Sequence, residues 1–170
     1  MTTTSLAPEV ASPTPDLDRV AEIARQYHDD PAQLMRYLFD IQAITANSIP
    51  RDVATVVARE TGLPEAKLYG FLTFYAMFSA TPRGKHLVRL CTSGSCFLNG
   101  AGEVREAICE RLGVDVGGTT PDGLFTVELC QCTGTCDKSP AMMIDSTTEG
   151  PLTPAAALAF LDEIAEADKE

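Results

Sequence analysis

The sequence predicts an α+β fold, a helical first half followed by a small α/β layer, and three observations carry that expectation. From Leu17 to Phe78 the apolar residues recur three and four apart, the spacing of one helix face. After the Ala80–Gly84 turn, which holds Pro82 and Gly84, the period drops to two and short strand-like runs appear. Four of the six cysteines then fall in two short loops of Gly, Ser and Thr placed at the ends of those runs. The boundaries that follow are a leader at 1–15, a helical region at 16–82 and a second domain at 83–170.

Each element has its own signal. Met1 to Pro15 is rich in Thr, Ser, Pro and Ala, with no basic start and no apolar core, so it reads as a disordered leader and not a secretory signal. Asp16 caps a first helix whose inner face is Leu17, Val20, Ile23, Ala24 and Tyr27. Asp30 followed by Pro31 opens a second, with Leu34, Tyr37, Leu38 and Ile41 inward. A third follows Pro50, buries Val53, Val56 and Val57, and stops at Gly62. The fourth, Glu65 to Phe78, is apolar almost all round and needs cover on several sides. The third and fourth helices also have the outline of a helix-turn-helix around Gly62. Lys67 is the one basic side chain among the apolar residues of the second of them, so that outline is structural.

In the second half, His86 to Cys91 alternates as a strand, and Gly102 to Leu112 is a helix with Val104, Ile108 and Leu112 on one side. Leu124 to Leu129 is a second strand with Phe125, Val127 and Leu129 on one face, and Ala141 to Asp145 is a third. Thr153 to Ala165 closes the domain as a helix with Pro154 in its first turn.

Composition bounds what such a chain can do. It has 170 residues, 45% hydrophobic and 22% charged, with a formal net charge of −11. That balance disfavours a phosphate backbone or an anionic membrane surface as partner. No apolar run approaches the roughly 18 residues of a membrane span, so no direct membrane contact is expected. With no export signal the expected compartment is the cytoplasm, where clustered thiols point to metal or catalysis before disulfides.

The two loops are Cys91 to Cys96, a C-x4-C, and Cys132 to Cys136, a C-x3-C, with 35 residues between them. Small neighbours let backbone N–H groups come close to sulfur. Structural zinc and dithiol redox sites favour C-x2-C, whereas the wide first gap is the one that opens the plant-type [2Fe–2S] ferredoxin pattern, without the C-x2-C that follows there. We read Cys91, Cys96, Cys132 and Cys136 as ligands of a binuclear iron–sulfur cluster. Three other readings stay open on spacing alone: an interaction module stabilised by zinc on four cysteines, a free-standing ferredoxin carrier, and a strained Cys130–Cys132 dithiol. Cys130 competes with Cys132 for the third ligand position, and Gly134 favours Cys132 because it lets the loop fold back. Cys109, inside a helix, reads as packing. His28 and His86 lie outside both loops, which removes a Rieske centre. The expected N–H donors to sulfur are Gly94, Ser95, Gly100, Thr133 and Gly134, with Arg89 and Lys138 as nearby cations and Glu128 and Asp137 as nearby anions.

Several spaced motifs together resemble one family. They are the aromatic run Tyr69 to Phe78, Gly84 with Lys85, the Cys91/Cys96 pair, Asp122 to Thr126, and Cys132, Gly134, Cys136 and Pro140. This set resembles the thioredoxin-like [2Fe–2S] subunits of NADH dehydrogenases, whose close relatives serve NAD-linked and bifurcating hydrogenases and NAD-dependent formate dehydrogenases. The resemblance runs from about residue 17 to 166. It implies a helical bundle region leading into a thioredoxin-like domain without the redox dithiol. It also implies ligation by Cys91, Cys96, Cys132 and Cys136, with Cys130 a non-ligand, and an electron-transfer role without substrate chemistry or catalytic residues. FMN and NAD(P) belong, on this resemblance, to a flavin- and NADH-binding partner subunit, alongside further iron–sulfur subunits. The threonines flanking Gly134 depart from the more apolar residues common in that loop.

Overall fold

A computed structural model describes residues 14–27 and 31–169. Most of the predicted leader, the Asp30 cap and His28 lie outside the described residues. The chain divides between Arg83 and Gly84 into two compact units, and each has its own core.

The first unit is helical. Helix α1 (Leu17–Gln26) starts at Asp16, whose carboxylate accepts the Arg19 N–H at 3.0 Å. A 3₁₀ turn, Pro31–Gln33, leads into α2 (Leu34–Ile44), and α3 (Arg51–Thr61) ends at Gly62 with φ 70°. Helix α4 (Glu65–Phe74) completes the set. Val20, Leu38, Ile41, Val53, Val57 and Leu68 are wholly buried in one cluster. Burying each such side chain stabilises by about 1.5–3 kcal/mol before chain entropy is counted. Val53 and Val57 of α3 and Leu68 and Leu72 of α4, the inner faces of the helix-turn-helix outline, all enter that cluster.

Helix α4 stops four residues short of the predicted Phe78. Tyr75 turns extended (φ −93°, ψ 112°), and the chain from there to Ser79 is held by polar partners instead of helix bonds. The Gln42 amide brackets it, donating to the Met77 carbonyl at 3.1 Å and accepting from Ser79 N–H at 3.3 Å. Arg83, 6% exposed, donates to the carbonyls of Asn47 (2.7 Å) and Met77 (3.2 Å). Satisfying buried main-chain groups this way outweighs continuing the helix. It also lets Phe78 turn into the core, leaving Tyr69 and Phe74 on the surface.

The second unit holds a four-stranded sheet in the order β2-β1-β3-β4. Strand β1 (His86–Cys91) is followed by a short helix α5 (Gly94–Leu98) and by α6 (Ala101–Leu112). Strand β2 (Phe125–Cys130) lies parallel to β1, so the two cysteine-bearing ends fall together, with Cys91 paired to Cys130. Strand β3 (Met142–Ile144) runs antiparallel to β1 and turns at Asp145 (φ 53°) into β4 (Thr147–Glu149). Helix α7 (Pro154–Ala167), capped by Thr153, packs on α6. Val88, Ile108, Val127, Met142, Ile144 and Leu161 form the core between sheet and helices.

Three expectations need correcting. Helix α5 and strand β4 have no counterpart in the sequence reading, being short and weakly periodic. The third strand is shorter than 141–145, because Asp145 leaves the ladder for the turn, where its carboxylate accepts the Leu87 N–H at 2.9 Å. Leu129 shares a period with Phe125 and Val127, yet it is 45% exposed while they are buried. The core gives out before the end of β2. Among the described residues no helix is long and apolar enough to cross a membrane.

Candidate metal centre

Three strand ends build the site. Parallel pairing brings the C-terminal ends of β1 and β2 side by side, and antiparallel β3 begins at the same edge. The Cys91 N–H bonds the Ala141 carbonyl at 3.3 Å, and the Thr92 N–H bonds the Cys130 carbonyl at 3.0 Å. Cys91 is thereby fixed by strands on both sides. Three residues on, α5 begins and carries Cys96 inward, 1% exposed, beside Cys91 at 2%. These two thiols, with Ala141, form a small buried cluster of their own.

The second loop closes over this cluster. Cys132 and Cys136 are exposed, with their sulfurs 3.8 Å apart. A 3₁₀ turn, Cys136–Lys138, carries the second of them. Gly134, at φ 82°, lets the main chain double back so that its own N–H points at Cys132 Sγ, 3.3 Å away. A residue with a Cβ is strained in that conformation. Side chains tie the two loops together. Ser93 donates to the Gln131 carbonyl, which also lies 3.7 Å from Cys91 Sγ, and the Asn99 amide donates to Ser139 Oγ at 2.6 Å.

Electrostatics links all four predicted sulfurs. Burial pushes the Cys91 thiol up, but N–H groups of Ser93 and Thr133 and contact with Cys96 outweigh it, and its pKa is lowered. The Cys96 pKa is raised, by burial first and then by its contact with Cys91, with Cys136 adding repulsion. That of Cys136 is raised chiefly by contact with Cys132, and Cys91 adds to it. Thiolates packed so closely oppose one another's ionisation, and a cationic centre among them removes that penalty.

The arrangement is two pairs, one buried and one exposed. Among the described residues no three Cys, His, Asp or Glu side chains gather closely enough to hold a single ion. Four thiols in two neighbouring pairs are the donor set that a binuclear cluster takes, so these residues fit one by their chemistry. All six cysteines are free. Cys130 is half-buried against the Cys91 group, with its pKa raised first by burial. Cys109 packs against the main core as expected.

Of the expected N–H donors, Thr133 and Gly134 are in place. Gly94 and Ser95 instead open α5, and Gly100 caps α6 with φ 93°. Sequence reasoning misses Ser93, which donates to Cys91, and Ala141, which donates to Cys96. No local signal marks Ala141, which strand pairing alone brings to the site, whereas Ser93 lies inside the first loop, two residues from the sulfur it serves. Arg89 is not an isolated cation: it sits in register with Glu128 and bonds it at 3.3 Å, so the two charges largely cancel. His86 belongs elsewhere, with Nδ1 2.7 Å from Asp145.

The chain is similar to several known proteins. A family model described as thioredoxin-like [2Fe–2S] ferredoxin matches residues 20–165. The NADP-reducing hydrogenase subunit HndA of Solidesulfovibrio fructosivorans is 31% identical over 142 residues, covering 84% of this chain and 82% of that protein. An NADH-quinone oxidoreductase subunit of Pseudomonas aeruginosa is 33% identical over 128 residues (75% and 77% covered). Its namesake in Escherichia coli K12 is 34% identical over 130 residues (76% and 78%). In structure, the chain matches part of an NAD+-reducing [NiFe]-hydrogenase in the air-oxidised state, with TM-score 0.69 and 18% identity. The match covers 79% of this chain but 23% of that one, and it bears on fold alone.

Proposed function

The chain belongs to the thioredoxin-like [2Fe–2S] ferredoxin family, with that family's fold and cluster, and from this premise we propose that it is the one-electron subunit of an NAD(P)H-linked oxidoreductase. On this reading it passes or stores an electron beside the flavin of a partner subunit, and the terminal chemistry belongs to other chains. The hydrogenase and NADH-quinone oxidoreductase subunits it resembles support the setting, and formate dehydrogenase is a further setting of the same kind. FMN and NAD(P) then sit in the partner, for no G-x-G-x-x-G follows a strand in this sequence. We place the complex in the cytoplasm, where cysteines that serve as metal ligands stay reduced.

The observation that carries this proposal is the meeting of Cys91 and Cys96 with Cys132 and Cys136 at one end of the sheet. A [2Fe–2S] cluster bound there supplies reversible one-electron chemistry. The chain's own residues set how easily it does so. N–H groups of Ser93, Thr133, Gly134 and Ala141 aimed at sulfur favour the more negative, reduced state. Asp137 on the exposed side opposes it. Strand β1 and α5 hold the inner pair away from water, while the outer pair faces it.

Anaerobic purification tests the proposal directly. The expected product is brown, with about two irons per chain and an EPR signal on reduction. A colourless protein holding one zinc per chain overturns it.

A further inference from the structure

At the cluster end of the second unit the surface is apolar where this chain has no use for it. Phe97 and Leu98 are 72% and 82% exposed. Both lie on α5, immediately after Cys96, whose inward direction turns them outward. The next residue, Asn99, bonds Ser139 of the second loop, so the pair lies beside the turn that carries Cys136. Leu129, at the same end of the sheet, is another large apolar side chain left out when the core stops short. Scattered exposed apolar residues are ordinary. Two adjacent large ones beside exposed metal-binding sulfurs are a different matter, because an electron must cross this edge to another protein.

Charge narrows the occupant. From Gly84 onward the chain has fourteen acidic side chains against six basic ones. Four of those six are already held by acids of the same unit, in the Lys85–Asp168, Arg89–Glu128, Arg105–Glu106 and Arg111–Asp162 pairs. An acidic unit with an apolar knob at its redox edge calls for an apolar socket within a basic margin.

We propose that Phe97 and Leu98 are the docking anchor of this chain, inserting into an apolar, basic-margined face of the partner subunit that exchanges electrons with the cluster. This rests on the electron-transfer reading above. It adds where that partner sits and which side chains hold it, on the exposed Cys132/Cys136 side and not over the buried pair. Large apolar anchors of this kind carry much of an interface's energy.

The experiment uses the complete native complex and its separated full-length chain. Phe97→Glu and Leu98→Glu are compared with wild type and with the conservative Leu98→Met. Iron content and the reduced EPR signal of the isolated chain are read first. Next come the recovery of the assembled complex on gel filtration and the rate at which NAD(P)H reduces the cluster. The expected result is an intact cluster in every variant, with assembly and NAD(P)H-driven reduction weakened about tenfold or more in both Glu variants and normal in Leu98→Met. Association of the wild type should also slow as salt rises. Glu variants that assemble and reduce at the wild-type rate overturn the docking proposal alone. So does a wild-type chain that forms a dimer which Leu98→Glu dissociates, since the anchor then serves a second copy. A wild-type chain without the two-iron signal overturns the functional reading instead, and the docking proposal falls with it.

Discussion

Cys130 and Cys132 are two residues apart, and the tertiary structure gives them different surroundings. Cys130 ends a strand and leans on the buried Cys91 group, while Cys132 lies in the loop with its sulfur 3.8 Å from Cys136 and an N–H directed at it. Cys132→Ser should therefore abolish or deeply damage the cluster spectrum, whereas Cys130→Ser should leave it nearly unchanged. The reverse pattern in visible absorption and EPR would reassign the ligand. Gly134 gives the sequence-level hint, and its φ of 82° is the physical reason behind it. Gly70 makes the opposite point. It lies within α4, and a Cβ there would meet nothing within 4 Å. Gly70→Ala should accordingly raise the unfolding free energy by about 0.5–1 kcal/mol, measured by urea denaturation. A loss of stability would mean that the space above Gly70 is already used.

At the scale of elements, capping residues and apolar spacing make most helices legible. Asp16 and Gly62 act where the sequence places them. What stays hidden are boundaries decided by partners distant in sequence, such as the end of α4 held by Gln42 and Arg83. One inter-helix contact gives a pH test. Glu60 on α3 bonds Arg25 of α1 at 2.7 Å and also meets Arg59, and these bonds hold its carboxyl below the ordinary glutamate range. The unfolded chain then binds the proton first, so this contribution is complete above the ordinary glutamate pKa. It fades as pH falls through the lower folded value. Thermal melts across that acid range should show the helical unit losing stability. Glu60→Gln should flatten part of the slope, and a mutant with an unchanged slope would show that Glu60 has no part in it.

For the whole molecule, the cores matter most. Val20 to Phe78 form one cluster, while Val88 to Leu161 and the Cys91 group form the others, with the division after Arg83. We propose that residues 84–170 fold and assemble the cluster without the helical region. The expected outcome is a monomeric fragment with native-like circular dichroism and the reduced EPR signal, and an unfolded or iron-free fragment would show that the helical region is needed. The sequence by itself determined the α+β class, the change of period near Gly84 and the two cysteine loops with their C-x4-C and C-x3-C spacing, because each is a pattern written within a few turns or strands of chain. Only the tertiary structure decided that two sulfurs are buried and two exposed, that Ala141 and Ser93 reach the site, and that Phe97 and Leu98 are left bare beside it. Those properties come from the parallel pairing of β1 with β2 and from where the core stops, which depend on residues far apart in sequence.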